Sequence, residues 1–121
     1  MEPLRCLIAE MPQKILADIV QKVVRENSNV DVIESSKPIE DLPLEIINQR
    51  INVLILGMKN LVLPKVCEDL LATYSNLMIL GIVDDGRKVA VYFNDIVSQD
   101  IANLMNLLSQ RLHATPYHYE M

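Results

Sequence analysis

The stretch Met78-Ile79-Leu80-Gly81-Ile82-Val83-Asp84-Asp85-Gly86-Arg87-Lys88-Val89-Ala90-Val91-Tyr92-Phe93 contains two apolar runs parted by a short polar segment. Each run has the length and β-branched content of a buried strand. A parallel crossover needs about a dozen residues or more, and only five separate Val83 from Val89. Asp85-Gly86 is a favoured hairpin turn. The spacing therefore predicts that the second strand runs antiparallel to the first.

Toward the N-terminus the pattern is an alternation of strands and helices. Residues 4–9, 30–34 and 52–56 read as strands, with Gly57 ending the third. Pro12 stands where a helix can begin. Ile15, Leu16, Ile19, Val20, Val23 and Val24 recur at helical spacing, while Lys14, Asp18, Gln21, Lys22 and Arg25 fall on the other face. A short helix is expected over residues 42–49, and Pro64 opens another whose apolar face holds Val66, Cys67, Leu70, Leu71 and Tyr74. Toward the C-terminus, Ser98 is a suitable cap for a helix carrying Ile101, Leu104, Met105, Leu108 and Leu112. Residues 113–121 read as a tail without periodicity.

These elements predict one α/β domain over residues 1–112, a three-layer sandwich with strand order 2-1-3-4-5 and strand five antiparallel at the edge. The expected core comprises Leu7, Ile8, Ile19, Val23, Val53, Leu54, Ile55, Leu56, Leu70, Ile79, Leu80, Ile101, Leu104 and Leu108. At 121 residues such a domain buries an adequate core without disulfides or metal.

Composition narrows the function classes. The net charge is −5 and the eleven basic residues are scattered, which disfavours nucleic acid as a partner. No apolar run reaches the ~20 residues that span a bilayer, so no membrane is implied. Cys6 and Cys67 sit within apolar stretches, and no secretory signal is apparent, so a reducing cytoplasm is expected. Cys6 lies inside a strand, where a thiol serves as a small hydrophobe. His113 and His118 are five residues apart, which does not place them on one helical face. The loop after strand one reads Glu10-Met11-Pro12-Gln13, without the glycines of a phosphate-binding loop.

The order of elements resembles the receiver domain of bacterial response regulators, a flavodoxin-like architecture. Leu7-Ile8-Ala9-Glu10-Met11-Pro12 is similar to its first strand and acidic turn. Asn52-Val53-Leu54-Ile55-Leu56-Gly57-Met58 is similar to the strand bearing the phospho-accepting aspartate, and Asn94-Asp95-Ile96-Val97-Ser98 to the segment entering the last helix. Glu10 matches one of the two metal-binding acids, and Met11 replaces the other. Gly57 replaces the phospho-acceptor, Gly81 the Ser/Thr of strand four, and Asn94 the lysine of strand five. The usual fourth helix is missing. Aspartyl phosphate formation needs a carboxylate nucleophile and a metal, and glycine supplies neither. The resemblance thus implies a non-catalytic pseudo-receiver, with no cofactor or metal, that regulates through protein contacts.

Two sets of residues are candidates for binding. Glu10, Gly57, Met58, Gly81 and Asp84 fall at the carboxyl ends of the parallel strands, where open α/β sheets take ligands; they define the alternative reading, a small-ligand or metal sensor. Turn chemistry at Asp84-Asp85 and tight packing at the two glycines are the competing readings of the same residues. Val89, Val91, Tyr92 and Phe93 form an apolar strand expected at the sheet edge, a surface suited to a protein partner or to a second copy in a homodimer.

Overall fold

The computed structural model describes residues 4–9, 11, 13–26, 30–35, 38–94 and 97–120. The strands are β1 (Leu4–Ile8), β2 (Val30–Glu34), β3 (Val53–Met58), β4 (Met78–Val83), β5 (Lys88–Phe93) and β6 (Thr115–Glu120). The helices are α1 (Lys14–Arg25), α2 (Leu42–Asn48), α3 (Lys65–Thr73) and α4 (Gln99–Leu112). They build an α/β fold on a six-stranded sheet of order β2-β1-β3-β4-β5-β6. β2, β1, β3 and β4 are mutually parallel. β5 is antiparallel to β4, pairing Leu80 with Val91 and Val83 with Lys88. The expected hairpin is therefore present, and the chain passes from β4 to β5 through a single short turn at Asp84–Gly86 with no α-helix between them.

The sheet separates two apolar layers. On one face Cys6, Ile8, Val53, Ile55, Leu80, Ile82, Val89 and Val91 pack against Val20, Val23 and Val24 of α1 and Ile101, Leu104, Met105 and Leu108 of α4. On the other, Leu7, Leu54, Leu56, Ile79, Ala90 and Tyr92 meet Leu42 and Ile46 of α2 and Cys67, Leu70 and Leu71 of α3. The strand residues alternate between the layers, as pleating requires. Each expected core residue is buried except Ile19, which is half-buried. Ile15 departs from the expected apolar face of α1 and is 74% exposed. It lies at the margin of that face, beside Leu16, which packs against the core.

The last nine residues depart most from expectation. Residues 115–120 are a strand and not a tail, so strand five is interior to the sheet. β6 runs parallel to β5, pairing Val89 with Pro116 and Tyr92 with Tyr119. α4 is the crossover that such a parallel pair needs. Ser98 caps its start by accepting the amide of Ile101. Its end is a left-handed turn at His113 (φ 55°), where Ala114 N donates to Ser109 O at 2.8 Å. This closure satisfies terminal carbonyls and redirects the chain. Consequently Val89, Val91 and Tyr92 are buried within one chain, and Phe93 is half-buried. The backbone edge proposed for a partner at these residues is occupied by β6.

Candidate functional site

A cavity of about 410 Å³ opens at the carboxyl ends of the parallel strands. It lies between the start of α1, the end of β3 and the turn that joins β4 to β5. Met11, Leu16 and Ile82 give it apolar walls, Gly57 and Met58 border it at the end of β3, and Gln13, Lys59, Asp84 and Asp85 supply polar groups. Its volume falls in the range of about 300–1,000 Å³ typical of small-molecule sites, and its mix of apolar wall and few polar groups is also typical.

Gly57 explains the space. It is part of β3 and pairs with Ile82, so the strand continues one residue past it to Met58 and does not end there as the sequence suggested. Val53 and Ile55 face the α1–α4 layer, and the two-residue repeat puts position 57 on that same side. A side chain there would project into the cavity. Gly81 has a different role from the one expected. It lies inside β4, paired with Leu56 and Ala90, and is not among the cavity residues. A Cβ at position 81 would stand 2.5 Å from the Met58 sulfur. The bare backbone at Gly81 lets Met58 lie flat across β4 on the α2–α3 side of the sheet, opposite the side that Gly57 faces, so Met58 borders the cavity at the strand end and fixes β3 there.

The turn Asp84–Gly86 forms the opposite wall. Asp84, Asp85 and Gly86 all have positive φ, at 52°, 55° and 88°. Aspartate tolerates this region better than most residues, and glycine adopts it freely. At Gly86 a Cβ would also stand 2.8 Å from Leu16 Cδ2, so the glycine seats the turn against α1. Gln13 Nε2 donates to Asp85 Oδ1 at 2.7 Å, which ties the β1–α1 loop to the turn across 72 residues of sequence. Asp84 and Lys59 form no side-chain hydrogen bond or ion pair with any described residue.

Of the residues expected at the rim, the structure gathers Gly57, Met58 and Asp84, while Glu10 lies outside the described residues. Among the described residues no group of three His, Cys, Asp or Glu side chains is placed to hold a metal ion. Sequence reasoning passed over Gln13, Leu16, Lys59 and Ile82. Lys59 and Ile82 had a usable signal, since one follows Met58 directly and the other alternates with Leu80. The Gln13–Asp85 contact had none, because it depends on tertiary closure.

The thiols lie elsewhere. Cys6 and Cys67 are fully buried, and burial pushes their pKa up, to about 12 for Cys6 and about 11 for Cys67. Both thus remain protonated and unreactive near neutrality. A further concavity of about 510 Å³ sits at the amino ends of the strands, between Ile47 and Arg50 at the end of α2 and Tyr74 after α3. It is broad, and it lies away from the carboxyl edge where strand ends and loops converge on a ligand. No helix among the described residues is long and apolar enough to cross a membrane. Compared with known proteins, the chain matches no family model and no curated sequence.

Proposed function

We propose that this protein is a non-catalytic, receiver-like regulatory module of the cytoplasm that binds a small molecule at the carboxyl edge of its parallel strands. The observation that carries the reading is the cavity floored by Gly57. In a receiver this position would carry the phospho-accepting side chain. Here the missing side chain removes the nucleophile and leaves volume in its place. The closed edge at β5 weighs in the same direction, because it removes the surface first suggested for a partner.

Binding would act on the turn between β4 and β5. Asp84 and Asp85 hold positive φ there, a conformation that costs on the order of 1 kcal/mol or more at a non-glycine residue. A ligand touching this wall favours one arrangement of the turn, and through it the position of β5.

The test is a thermal-shift panel of small metabolites on the unmodified protein and on Gly57→Leu. At least one compound should raise the Tm of the first and leave the second unchanged. Equal shifts in both proteins, or none in either, would contradict the reading. Beryllium fluoride with Mg²⁺ should leave the amide spectrum around Gly57 unchanged, and saturable shifts there would restore a phosphoryl role.

A second reading has its own support. Leu44 and Ile47 of α2 are 69% and 50% exposed. They form an apolar surface through which a regulatory module could contact a protein partner. Charge substitution at Leu44 should then abolish co-purification of a partner without lowering stability.

A further inference from the structure

Resting on the reading of the cavity as a ligand site, we infer that its ligand is a zwitterion with an apolar body, of the chemical class of the aliphatic α-amino acids. Three observations lead there. The walls at Met11, Leu16 and Ile82 are aliphatic or thioether, and methionine adapts its shape to a flexible apolar guest. Of the two carboxylates on the turn, Asp85 is engaged by Gln13 at 2.7 Å, which leaves Asp84 to accept from a ligand. On the remaining side Lys59 offers an ammonium that pairs with no described residue.

One free carboxylate and one free ammonium thus border one apolar cavity. A simple amine would satisfy Asp84 and leave Lys59 repelling it. A simple carboxylic acid would satisfy Lys59 and be repelled by Asp84 and Asp85. An amino acid pairs its ammonium with Asp84 and its carboxylate with Lys59, so both charge-assisted bonds form. Its side chain then removes apolar wall from water. The apolar walls favour leucine, isoleucine, valine or methionine over polar amino acids.

Isothermal titration calorimetry tests this with three probes of one carbon skeleton: leucine, isoamylamine and 4-methylvalerate. Leucine should bind at least tenfold more tightly than either single-charge analogue. Asp84→Asn keeps a residue that accepts positive φ, and Lys59→Gln keeps a solvated side chain, so both variants should fold. Each should weaken leucine binding at least tenfold while leaving the Tm of the free protein unchanged. Equal affinity for amine and amino acid, or for all three probes, would overturn the zwitterion. If leucine gives no heat while other compounds still stabilise the unmodified protein and not Gly57→Leu, the ligand class is wrong and the site stands. If no compound in the panel does so, both readings fail.

Discussion

The parallel part of the sheet and the β5–β6 part are covered in different ways. β1, β3 and β4 lie between two helical layers, and their inward residues are almost all aliphatic. β5 has α4 over one face and joins the α2–α3 layer on the other, while β6 leaves Pro116, His118 and Glu120 exposed on one face and adds only tyrosines to the layer on the other. Tyr92 and Tyr119, paired across the two strands, stack at 5.2 Å between ring centroids, and Tyr119 stacks on Tyr117 at 6.3 Å. Tyr92 anchors the group by donating its hydroxyl to Leu61 O at 2.6 Å. The difference teaches that an edge strand can be held by its own aromatic side chains where no helix packs on it. A cross-strand aromatic pair adds about 0.5–1.5 kcal/mol beyond its buried area.

The sheet edges are blunted in line with this. β2 exposes Asp31 and Glu34 at one side, and β6 carries Pro116 at the other. Charge and proline both discourage strand addition. Deleting residues 114–121 should therefore have the largest effect of any change considered. It exposes the apolar edge Val89-Ala90-Val91-Tyr92 and should convert the protein to oligomers or aggregates on size-exclusion chromatography. A stable, monomeric deletion variant would show that β6 contributes nothing to protection.

The next largest effect belongs to the parallel half. Leu54 is fully buried in β3, and Leu54→Ala should cost about 2–5 kcal/mol in urea unfolding, the range for truncating a packed core leucine. A loss below about half a kilocalorie would mean that this half is not the rigid part of the molecule.

Much of the parallel half was legible in advance because its signals are local. The apolar runs at Leu54-Ile55-Leu56 and Ile79-Leu80 admit few readings, and the short Val83–Val89 connection settles the direction of β5. The β6 half was missed for two physical reasons. α4 ends on His113 in the left-handed region, where glycine is the usual marker of a helix stop. Pro116 also lowers the strand signal of its segment. The alternation of Tyr117 and Tyr119 with His118 and Glu120 was the available clue, since aromatic residues at a period of two favour a strand. At the rim, sequence order placed Gly57, Met58 and Asp84 together. It did not reveal that Gly81 supports Met58 from below, because that contact crosses between neighbouring strands.

That contact gives a smaller effect. Gly81→Ala drives a Cβ into the Met58 sulfur and should cost about 1 kcal/mol, the low end for overpacking, because the flexible, half-buried thioether can swing aside. Combining it with Met58→Ala should recover part of the loss, and strict additivity of the two would contradict the packing described.

The smallest effect is read at alkaline pH. Burial, and secondarily the neighbouring Tyr119, raise the Tyr92 pKa from 10.0 to about 12. Between these values the unfolded chain releases the Tyr92 proton and the folded chain retains it. Stability should accordingly fall as pH rises from 10 toward 12. Tyr92→Phe should flatten that part of the decline, at a cost near neutrality of about 1 kcal/mol for the lost hydrogen bond. An unchanged alkaline slope in the variant would assign the decline to other groups.

The rim cavity is the claim on which the functional reading rests, and amide-resolved NMR addresses it most directly. The compound giving the largest thermal stabilisation would be titrated into the ¹⁵N-labelled protein. The account predicts saturable shifts confined to Gly57, Met58, Lys59, Asp84 and Asp85 and their neighbours, and absent in Gly57→Leu. Shifts centred on Leu44 and Ile47 of α2 or on β6, with the rim unchanged, would contradict it.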